Sequence, residues 1–392
     1  MTWDAKLVNE MRRKIMITTG TRSEYGLLRP LLFEINKSKK LDLKLIVAGM
    51  HLSKQHGYTI NEIMRDGFKI SGKVEMIPQG NSNYDMALAL SSGIKQFSVI
   101  LRKIKPEINI ILGDRDEAFA SSIAAFHMNI PNAHIHGGDK SKAGIDEYIR
   151  HAITKISNIH FAASKKSSIR IKKLGENPKY IFFTGSPGID EIFQHKITAT
   201  IDLEKKYNLK FNGDEILLLQ HPITTQSEKS LNEITITLNA IKKLKKTTIV
   251  IFPNSDAGHQ EIFNSIKNYA KKYPFLKIYP SIPRSDYLGL LENCGVLVGN
   301  SSSGIIEGGY FKIPIINIGS RQKDREGGSN VIDVDNSTSK IFNAIKKGLI
   351  LKKKNKFKNN FIYGRGTAST NIVNILEKIQ LDEKLIQKQI HY

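Results

Sequence analysis

Residues 134–151, with the sequence HIHGGDKSKAGIDEYIRH, contain the signals on which the predicted fold and site depend. The stretch predicts a short strand over 133–136, a turn at Gly137-Gly138 and a helix that begins near Asp146. Two successive glycines allow a sharp turn or a close approach to a ligand, because they have no side chains. Strand, turn and helix in this order recur along the whole chain.

The same stretch brings together several side chains that can carry chemistry. His134 and His136 are two residues apart on the predicted strand and should point to the same face. The other candidates are acids and a cation: Asp139, Asp146, Glu147 and Arg150. Simpler interpretations stay open, since Asp146 alone also fits a helix N-cap and the two histidines also fit a packed core. His134, His136 and Asp139 also fit half of a metal site.

Composition indicates a globular protein with an anionic small substrate. The chain has 392 residues, of which 40% are hydrophobic and 24% charged, and this length predicts two or three domains. The balance of 59 basic and 37 acidic residues gives a net charge of +22. The lysines are spread over the chain, without zinc-finger spacing or an aromatic RNA-binding signature, so we expect no nucleic-acid partner.

Cysteine usage and hydropathy predict a cytoplasmic protein. Cys294 is the single cysteine, which excludes an internal disulfide and a cysteine-based zinc site. No apolar run approaches the roughly 20 residues of a membrane span, so no membrane partner is expected. Residues 1–13 lack the apolar core of a signal peptide and predict a short helix ahead of the first strand.

Short apolar runs predict two series of strands separated by helices. Besides 133–136, the first series comprises 14–18, 41–48, 108–112, 159–162 and 180–183, and the second 215–219, 247–252, 276–279, 295–298 and 315–318. Runs without alternation are typical of parallel sheets covered on both faces. The predicted fold is therefore α/β, with two doubly wound Rossmann-like domains, 1–190 and 191–365, that face a cleft. Within 366–392, a last helix over 368–388 is expected to cross back to the first domain.

Polar residues follow these strands at their carboxyl ends, where open parallel sheets bind ligands. The repetition over two domains places one site in the cleft between them. The residues at strand ends are Arg22, His51, Asp114, Arg115, His134, His136, His221, Asn254, Asn300, Ser301 and Arg321.

The turn 299–304, GNSSSG, predicts a phosphate site. Three serines before a helix predicted over 305–311 can donate hydroxyl and backbone N–H groups to a phosphate. Ile305-Ile306 follow instead of Lys-Ser/Thr, which excludes a Walker A loop, and no G-x-G-x-x-G follows the first strand, so no nicotinamide cofactor is expected. A diphosphate bound in a two-domain cleft suggests a nucleotide sugar, whose ribose Glu307 could contact. A serine-rich N-cap and a solvated helix acid remain the alternatives.

Taken together, the motifs resemble the hydrolysing UDP-N-acetylglucosamine 2-epimerases of the sialic- and legionaminic-acid pathways, over residues 14–378. The matching motifs are TGTRSEYG (19–26), GDR (113–115), HIHGGD (134–139), IDEYIRHAITK (145–155), QHP (220–222), PNSDAG (253–258), GNSSSG (299–304) and Arg321. The resemblance implies a glycosyltransferase-B-type fold, a UDP-sugar substrate, no metal and no cofactor. It also implies a homo-oligomer, a dimer or tetramer.

The resemblance further implies an elimination of UDP across C1 and C2, followed by addition of water to give free N-acetylmannosamine. By motif position, Asp114 and Asp146 are its catalytic acids, and Asn254, Ser301, Ser302 and Glu307 its nucleotide contacts. His136, Asp139, Glu147 and His221 are further candidates for proton transfer. Some relatives carry Glu where this chain has His136, so the group that removes the C2 proton stays open. The remaining predicted substrate contacts are Arg22, His51, Arg115, His134, Arg150, Asn300, Gly304 and Arg321.

Other functions are compatible with the same residues. A non-hydrolysing 2-epimerase, a glycosyltransferase on the same architecture, a metal hydrolase built on His134, His136 and Asp139, and a nucleotide-sugar sensor are the alternatives. The sequence leaves the substituents at C4 and C6 of the sugar open.

Overall fold

A computed structural model describes residues 12–54, 56–80, 82–142, 144–194 and 196–392 of the chain. Two parallel β-sheets form its body, and each sheet with its helices is called here the first or the second half. Most of the helix predicted ahead of the first strand falls in residues 1–11 and lies outside the described residues. Among the described residues, no helix combines the length and the apolarity that a membrane crossing requires.

The first half contains a seven-stranded sheet in the order β3-β2-β1-β4-β5-β6-β7. β4 and β5 are buried along their whole length, as expected for parallel strands covered on both faces. The strands are β1 (Arg13–Thr19), β2 (Leu41–Ala48), β3 (Ile70–Val74), β4 (Ile108–Leu112), β5 (Asn132–Ile135), β6 (Ile159–Ala162) and β7 (Ile181–Phe183). The helices are α1 (Arg22–Lys37), α2 (Ile60–Arg65), α3 (Asn83–Ile104), α4 (Asp116–His127), α5 (Ile145–Lys155), α6 (Lys165–Lys173) and α7 (Pro187–Phe193).

The second half contains a six-stranded sheet in the order β10-β9-β8-β11-β12-β13. Its strands are β8 (Ile216–Leu219), β9 (Thr248–Ile251), β10 (Leu276–Tyr279), β11 (Val296–Gly299), β12 (Ile315–Ile318) and β13 (Val331–Val334). Its helices are α8 (Thr200–Tyr207), α9 (Ser230–Leu244), α10 (His259–Lys272), α11 (Arg284–Asn293), α12 (Ser302–Glu307) and α13 (Thr338–Lys353). The chain ends with α14 (Ala368–Lys378) and α15 (Glu383–Ile386).

Both sheets are doubly wound, as the sequence predicts. The strand order reverses between β1 and β4 in the first sheet and between β8 and β11 in the second. Loops that leave neighbouring strands in opposite directions at such a switch point open a crevice at the carboxyl edge of the sheet. The two crevices face each other, which positions the site described below.

The last long helix packs on the first half. Ile372 and Leu376 of α14 are buried in the core beneath β1, together with Leu28 of α1. The carboxylate of Asp190 in α7 accepts hydrogen bonds from the backbone N–H groups of Ala368, at 3.0 Å, and Ser369, at 2.7 Å. An acid at this position satisfies donors that a helix start leaves unpaired.

The extent of that helix differs from the prediction. The helix predicted over 368–388 ends at Lys378, because Ile379 adopts an extended conformation. The side chain of Asp382 then accepts a hydrogen bond from Leu385 N at 2.9 Å and starts the separate helix α15. A polar cap within the pattern therefore divides one predicted helix into two.

Four other elements depart from the prediction. Strands β3 and β13 were not predicted, because they lie at sheet ends, are only partly buried and lack an apolar run. The helix predicted over 305–311 is α12, which begins three residues earlier and ends at Glu307. β5 ends at Ile135, and His136 has a φ of 65°, so the alternation that should align His134 with His136 does not extend to His136.

Candidate active site

A cleft lies between the carboxyl ends of the two sheets. It is lined from both halves, and most of the side chains singled out in the sequence take part in the lining. These are Arg22, Asp114, Arg115, His136, Asp139, Asp146, Arg150, His221, Asn254, Ser301, Ser302, Glu307 and Arg321. His51, His134, Glu147, Asn300 and Gly304 are not part of the lining.

Asp114 follows β4 and is oriented by a buried guanidinium. Arg150 of α5 is 1% exposed and donates hydrogen bonds to the Asp114 carboxylate, to Glu147 Oε2 at 2.5 Å and to Asp139 O at 3.2 Å. Glu147 also accepts a hydrogen bond from Ser141 N at 2.9 Å. Arg150 and Glu147 therefore hold Asp114 in place, and Glu147, predicted to transfer protons, has this supporting position behind the cleft wall.

Asp146 occupies the first turn of α5 and faces Arg321 of the second half. The Asp146 Oδ2 to Arg321 Nη2 distance is 3.3 Å. Burial raises the pKa of Asp146 to about 6, although Arg321 opposes the shift. A carboxyl group with a pKa close to neutrality can both take up and release a proton under physiological conditions.

His136 and Asp139 form a hydrogen-bonded pair at the floor of the cleft. His136 Nδ1 lies 3.0 Å from Asp139 Oδ2, and Asp139 also accepts hydrogen bonds from Arg325 Nη1 at 2.9 Å and Ser167 Oγ at 2.7 Å. Burial acts to raise the pKa of Asp139, but His136, Arg325 and the Ser167 hydroxyl outweigh it and lower the pKa to about 2. Asp139 is therefore a fixed negative charge rather than a group that exchanges protons near neutrality.

His221 follows β8 and is held through its backbone by Asn300. Asn300 Oδ1 accepts from His221 N at 2.7 Å, and Asn300 Nδ2 donates to His221 O at 2.9 Å. Burial, followed by the nearby Arg321, lowers the pKa of His221 to about 3, so its imidazole is neutral at physiological pH. Asn300 lies behind the lining and supports His221, which corrects its predicted contact with substrate.

The serine turn after β11 presents hydroxyl groups to the cleft. Ser301 Oγ lies 2.9 Å from Ser303 Oγ, which in turn lies 2.7 Å from the hydroxyl of Tyr287. Gly304 is buried within α12, where an added Cβ would come within 3.0 Å of Leu297. Gly304 therefore allows close packing of the helix on the sheet, and its predicted substrate contact stays a prediction.

Arginines from both halves place positive charge around the serine turn. Arg321 is 9% exposed, and its Nε is buried without a hydrogen-bond partner among the described residues. Buried donors are normally satisfied, so an open one in a cleft indicates an anionic ligand. Arg115 is held by Glu117 and Asp256, each at 3.2 Å, and Arg22 donates to Ser281 Oγ at 2.7 Å.

Glu307 is fully buried and paired with a cation that the sequence analysis did not select. Glu307 Oε1 lies 2.7 Å from Arg284 Nη1, and Arg284 also lies 3.4 Å from Glu191 of α7. Burial raises the pKa of Glu307 against the opposing effect of Arg284. Glu307 lines the cleft, and its predicted role as a ribose contact stays a prediction.

His51 and His134 lie behind the cleft wall. His51 Nε2 is 3.0 Å from Thr19 Oγ1, and His134 Nε2 is 2.7 Å from Gly113 O. Burial lowers the pKa of both imidazoles to about 3, so both are neutral at physiological pH. We therefore revise their predicted substrate contact to support of the turns after β1 and β4, because hydrogen bonds within the protein already engage them.

Three charged residues of the lining were missed. Arg325 lies in an irregular loop after β12. Its position four residues after Arg321 was the signal in the sequence that could have pointed to it. Arg284 starts α11 without a recognised motif. Glu24 is part of the quoted motif TGTRSEYG; burial, followed by Glu117, raises its pKa to about 7.

The arrangement does not favour the metal site considered from sequence. The nitrogens of His134 face Gly113 O and Thr154 Oγ1, whereas those of His136 face Asp139 and Ser186. The two imidazoles therefore do not converge with Asp139 on one point. Among the described residues, no group of three or more His, Cys, Asp or Glu side chains could hold a metal ion.

Comparison with known sequences gives consistent matches over nearly the whole chain. The profile of the UDP-N-acetylglucosamine 2-epimerase family matches residues 33–377. The UDP-N,N'-diacetylbacillosamine 2-epimerase (hydrolyzing) of Legionella pneumophila is 36% identical, over 96% of this chain and 99% of its own length. The polysialic acid biosynthesis protein P7 of Escherichia coli is 36% identical over 88% of this chain and 87% of its own, and the GDP/UDP-N,N'-diacetylbacillosamine 2-epimerase (hydrolyzing) of Campylobacter jejuni is 34% identical over 82% and 84%.

Solved structures share the fold. The UDP-GlcNAc 2-epimerase of Neisseria meningitidis, bound to UDP-GlcNAc, superposes with a TM-score of 0.79 at 17% identity, covering 93% of this chain and 100% of that one. The UDP-GlcNAc 2-epimerase of Methanocaldococcus jannaschii, in complex with UDP-GlcNAc and UDP, has a TM-score of 0.79 at 20% identity, covering 93% and 99%. These similarities confirm the predicted arrangement of two Rossmann-like halves around a cleft.

Proposed function

The chain belongs to the UDP-N-acetylglucosamine 2-epimerase family, and on that premise we propose that it is a hydrolysing 2-epimerase of UDP-linked 2-acetamido sugars. The products are UDP and a free sugar of the N-acetylmannosamine type. Relatives named as hydrolysing 2-epimerases, at 36% and 34% identity over most of the chain, support the hydrolysing activity.

One observation carries the proposal at the level of chemistry. Carboxylates of the first half, Asp114 and Asp146, line the same cleft as Arg321 and the serine turn of the second half. A UDP-sugar needs these two sets of groups at opposite ends. Its diphosphate needs donors and cations, and the neighbouring sugar carbon needs acids and bases.

The reaction has two steps. In the first, a base removes the C2 proton, the C2–H electrons form the C1=C2 double bond, and the C1–O bond breaks to release UDP. In the second, the hydroxyl of water adds to C1 and a proton to the opposite face of C2. The C2 proton is not adjacent to a carbonyl group, so its removal depends on departure of the diphosphate, which the cations stabilise.

We assign Asp114 and Asp146 to the two proton transfers at C2. Arg150 fixes the orientation of Asp114, and the pKa of about 6 suits Asp146 to proton exchange near neutrality. His221, being neutral, serves as a hydrogen-bonding group. Arg22, Arg115, Arg321, Ser301 and Ser302 are assigned to the diphosphate, and Asn254 and Glu307 to the nucleoside.

An NMR assay in deuterated water tests the function. The expected products are UDP and a free sugar that carries deuterium at C2. Two intact UDP-linked epimers would identify a non-hydrolysing 2-epimerase instead. Transfer of the sugar to an added acceptor without C2 exchange would identify a glycosyltransferase.

We also propose which pathway the enzyme serves and which sugars should be compared as substrates. We propose a role in the synthesis of a sialic or legionaminic acid, which the names of the similar relatives support. UDP-N-acetylglucosamine and its 2,4-diacetamido-trideoxy analogue are the two substrates to compare. The ratio of their kcat/KM values decides between the two pathways.

We propose a homo-oligomer in which α3 packs against the same helix of a second copy. Tyr84, Leu88 and Val99 are exposed on one face of α3, at 71%, 53% and 65%. In an antiparallel pair centred on α3, Leu88 would meet the partner's Val99, and Asp85 the partner's Arg102, so that apolar and charged groups match. Light scattering should give a dimer or tetramer, and Leu88→Glu should halve the number of subunits, to a monomer or a dimer respectively. A monomeric parent protein would refute the interface.

A cytoplasmic location is also proposed. The single thiol, Cys294, is buried and unpaired, which suits a reducing compartment. Cell fractionation with an antibody tests it, and recovery in an extracellular fraction would refute it.

A further inference from the structure

The two segments that join the halves cross where residues 185–186 meet residues 363–364. The chain leaves the first half through Gly185-Ser186 and α7, and it returns through Tyr363-Gly364 before α14. Ser186 N donates to Tyr363 O at 2.8 Å. Gly185 and Gly364 have φ values of 84° and 112°, and a Cβ on Gly185 would come within 2.9 Å of Tyr363 O. The backbones are therefore as close as glycine allows.

His136 contacts both segments at this crossing point. Its Nε2 lies 2.8 Å from Ser186 Oγ on the outgoing segment. Its ring stacks on Tyr363 of the returning segment, with centroids 6.4 Å apart and an interplanar angle of 27°. His136 is 6% exposed and lines the cleft, so one side chain contacts both the crossing point and the cleft.

The other side of the imidazole reaches a charge of the second half. His136 Nδ1 lies 3.0 Å from Asp139 Oδ2, and Asp139 accepts from Arg325 Nη1 at 2.9 Å. The hydroxyl of Tyr363 donates to Glu326 O at 2.8 Å, next to Arg325. The loop after β12 is thus tied both to the crossing point and to the pair formed by His136 and Asp139.

His136 also starts the segment that leads to Asp146. After the glycine turn, Lys142 N donates to Arg321 O of the second half at 2.8 Å, and Ile145 N donates to Thr224 Oγ1 at 3.2 Å. α5 then begins, with Asp146 in its first turn. A change in the angle between the halves would therefore act on this segment at both of its ends.

Both ring nitrogens of His136 are used within the protein. The ionised Asp139 is an acceptor only, so Nδ1 donates to it, and Nε2 lies within hydrogen-bond distance of the Ser186 hydroxyl. Both ring nitrogens are therefore directed at groups of the protein itself.

We infer that His136 is a positioning residue that couples the crossing point of the two halves to the segment bearing Asp146, and that it does not itself transfer the C2 proton. The inference rests on the proposed function for its catalytic part. It argues against proton transfer, for which His136 is one of several candidates by motif position.

His136→Asn and Ser186→Ala test the inference, with the surface variant His127→Asn as the matched control. Both test variants should show faster amide hydrogen exchange in 185–187 and 363–366 as well as in 137–146, whereas the control should match the parent. Their kcat should fall about 100-fold through misplacement of Asp146, with KM and the shape of the pH profile retained. Because both variants break one link, the double variant should be little worse than either alone.

Two results would overturn the inference. Faster exchange confined to 137–146, with both connecting segments unchanged, would show that His136 does not act at the crossing point. Loss of a limb of the pH profile and of C2 exchange in His136→Asn, with Ser186→Ala fully active, would make His136 the proton carrier. If the parent protein does not turn over UDP-sugars, the proposed function fails, and the exchange data still decide the coupling.

Discussion

The turn after β4 and the turn after β11 occupy the same place in their two sheets, yet they present opposite chemistry to the cleft. Both follow the strand at the switch point, and both begin with a glycine of positive φ, Gly113 at 74° and Gly299 at 135°. The first turn then presents a carboxylate, Asp114, and the second presents serine hydroxyls. The same scaffold therefore separates proton transfer from phosphate binding by the residues placed after one glycine.

The largest expected effect is the loss of turnover when the carboxylate of the turn after β4 is replaced. Asp114→Asn should lower kcat about 10³- to 10⁴-fold, because an amide cannot accept the proton, while UDP affinity stays unchanged. Enzyme-coupled UDP release and isothermal titration calorimetry measure the two quantities. Asp42→Asn, a change on the outer part of β2, is the control. Ordinary turnover in Asp114→Asn would contradict the assignment.

The two glycines allow a matched comparison of backbone constraint. At Gly113 an added Cβ meets no atom within 4 Å, so Gly113→Ala should cost only the left-handed backbone strain of about 1 kcal/mol. At Gly299 the added Cβ would overlap Leu219 O at 2.0 Å, so Gly299→Ala should cost about 3 kcal/mol or more. Urea denaturation of both variants measures the difference, and equal losses would show that the second turn can relax.

The phosphate side of the comparison depends on Arg321. Arg321→Ala should weaken UDP binding roughly 10- to 100-fold, since charge-assisted hydrogen bonds contribute about 1.5–3 kcal/mol each. Calorimetric titration with UDP measures the dissociation constant. The exposed Lys323 provides the control. An equal loss in Lys323→Ala would indicate a general effect of net charge rather than a contact.

A smaller effect concerns how the ionisation of Asp146 changes the stability of the folded protein. The pKa of Asp146 is raised from 3.8 to about 6 in the folded protein, so folding is penalised once pH rises through this window and the carboxyl ionises. Asp146→Asn should therefore be more stable than the parent at pH 7.5, with the difference shrinking towards pH 4. Thermal unfolding at both pH values measures it. Lower stability of the variant at pH 7.5 would mean that the pair with Arg321 outweighs burial.

The fold was predictable where burial leaves a strong pattern. β2, β4 and β6 match their predicted bounds because the buried, mainly apolar residues at their carboxyl ends stop where the chain reaches the cleft. β3 and β13 escaped prediction because a strand at a sheet end needs little apolar surface. The same limit explains the misplaced end of the last helix, where one capping side chain, Asp382, decides the break.

The site was predictable as a set of strand ends, but not as a set of contacts. The rule that residues directly after a strand reach the cleft correctly predicts the places of Asp114, His221 and Ser301. It does not say whether a side chain turns towards the ligand or back under a loop, as the imidazole of His134 does. Arg325 reaches Asp139 from the other half, and no local pattern encodes a contact between residues so far apart in the chain.

The return of α14 to the first half has a consequence for biosynthesis. The core around Leu28 is completed by Ile372 and Leu376, which leave the ribosome after the entire second sheet has been made. Until α14 has been translated, the apolar residues around Leu28 are therefore expected to stay exposed in the nascent chain. Truncation just after α13 would leave those residues exposed, and aggregation is the expected fate of such a fragment.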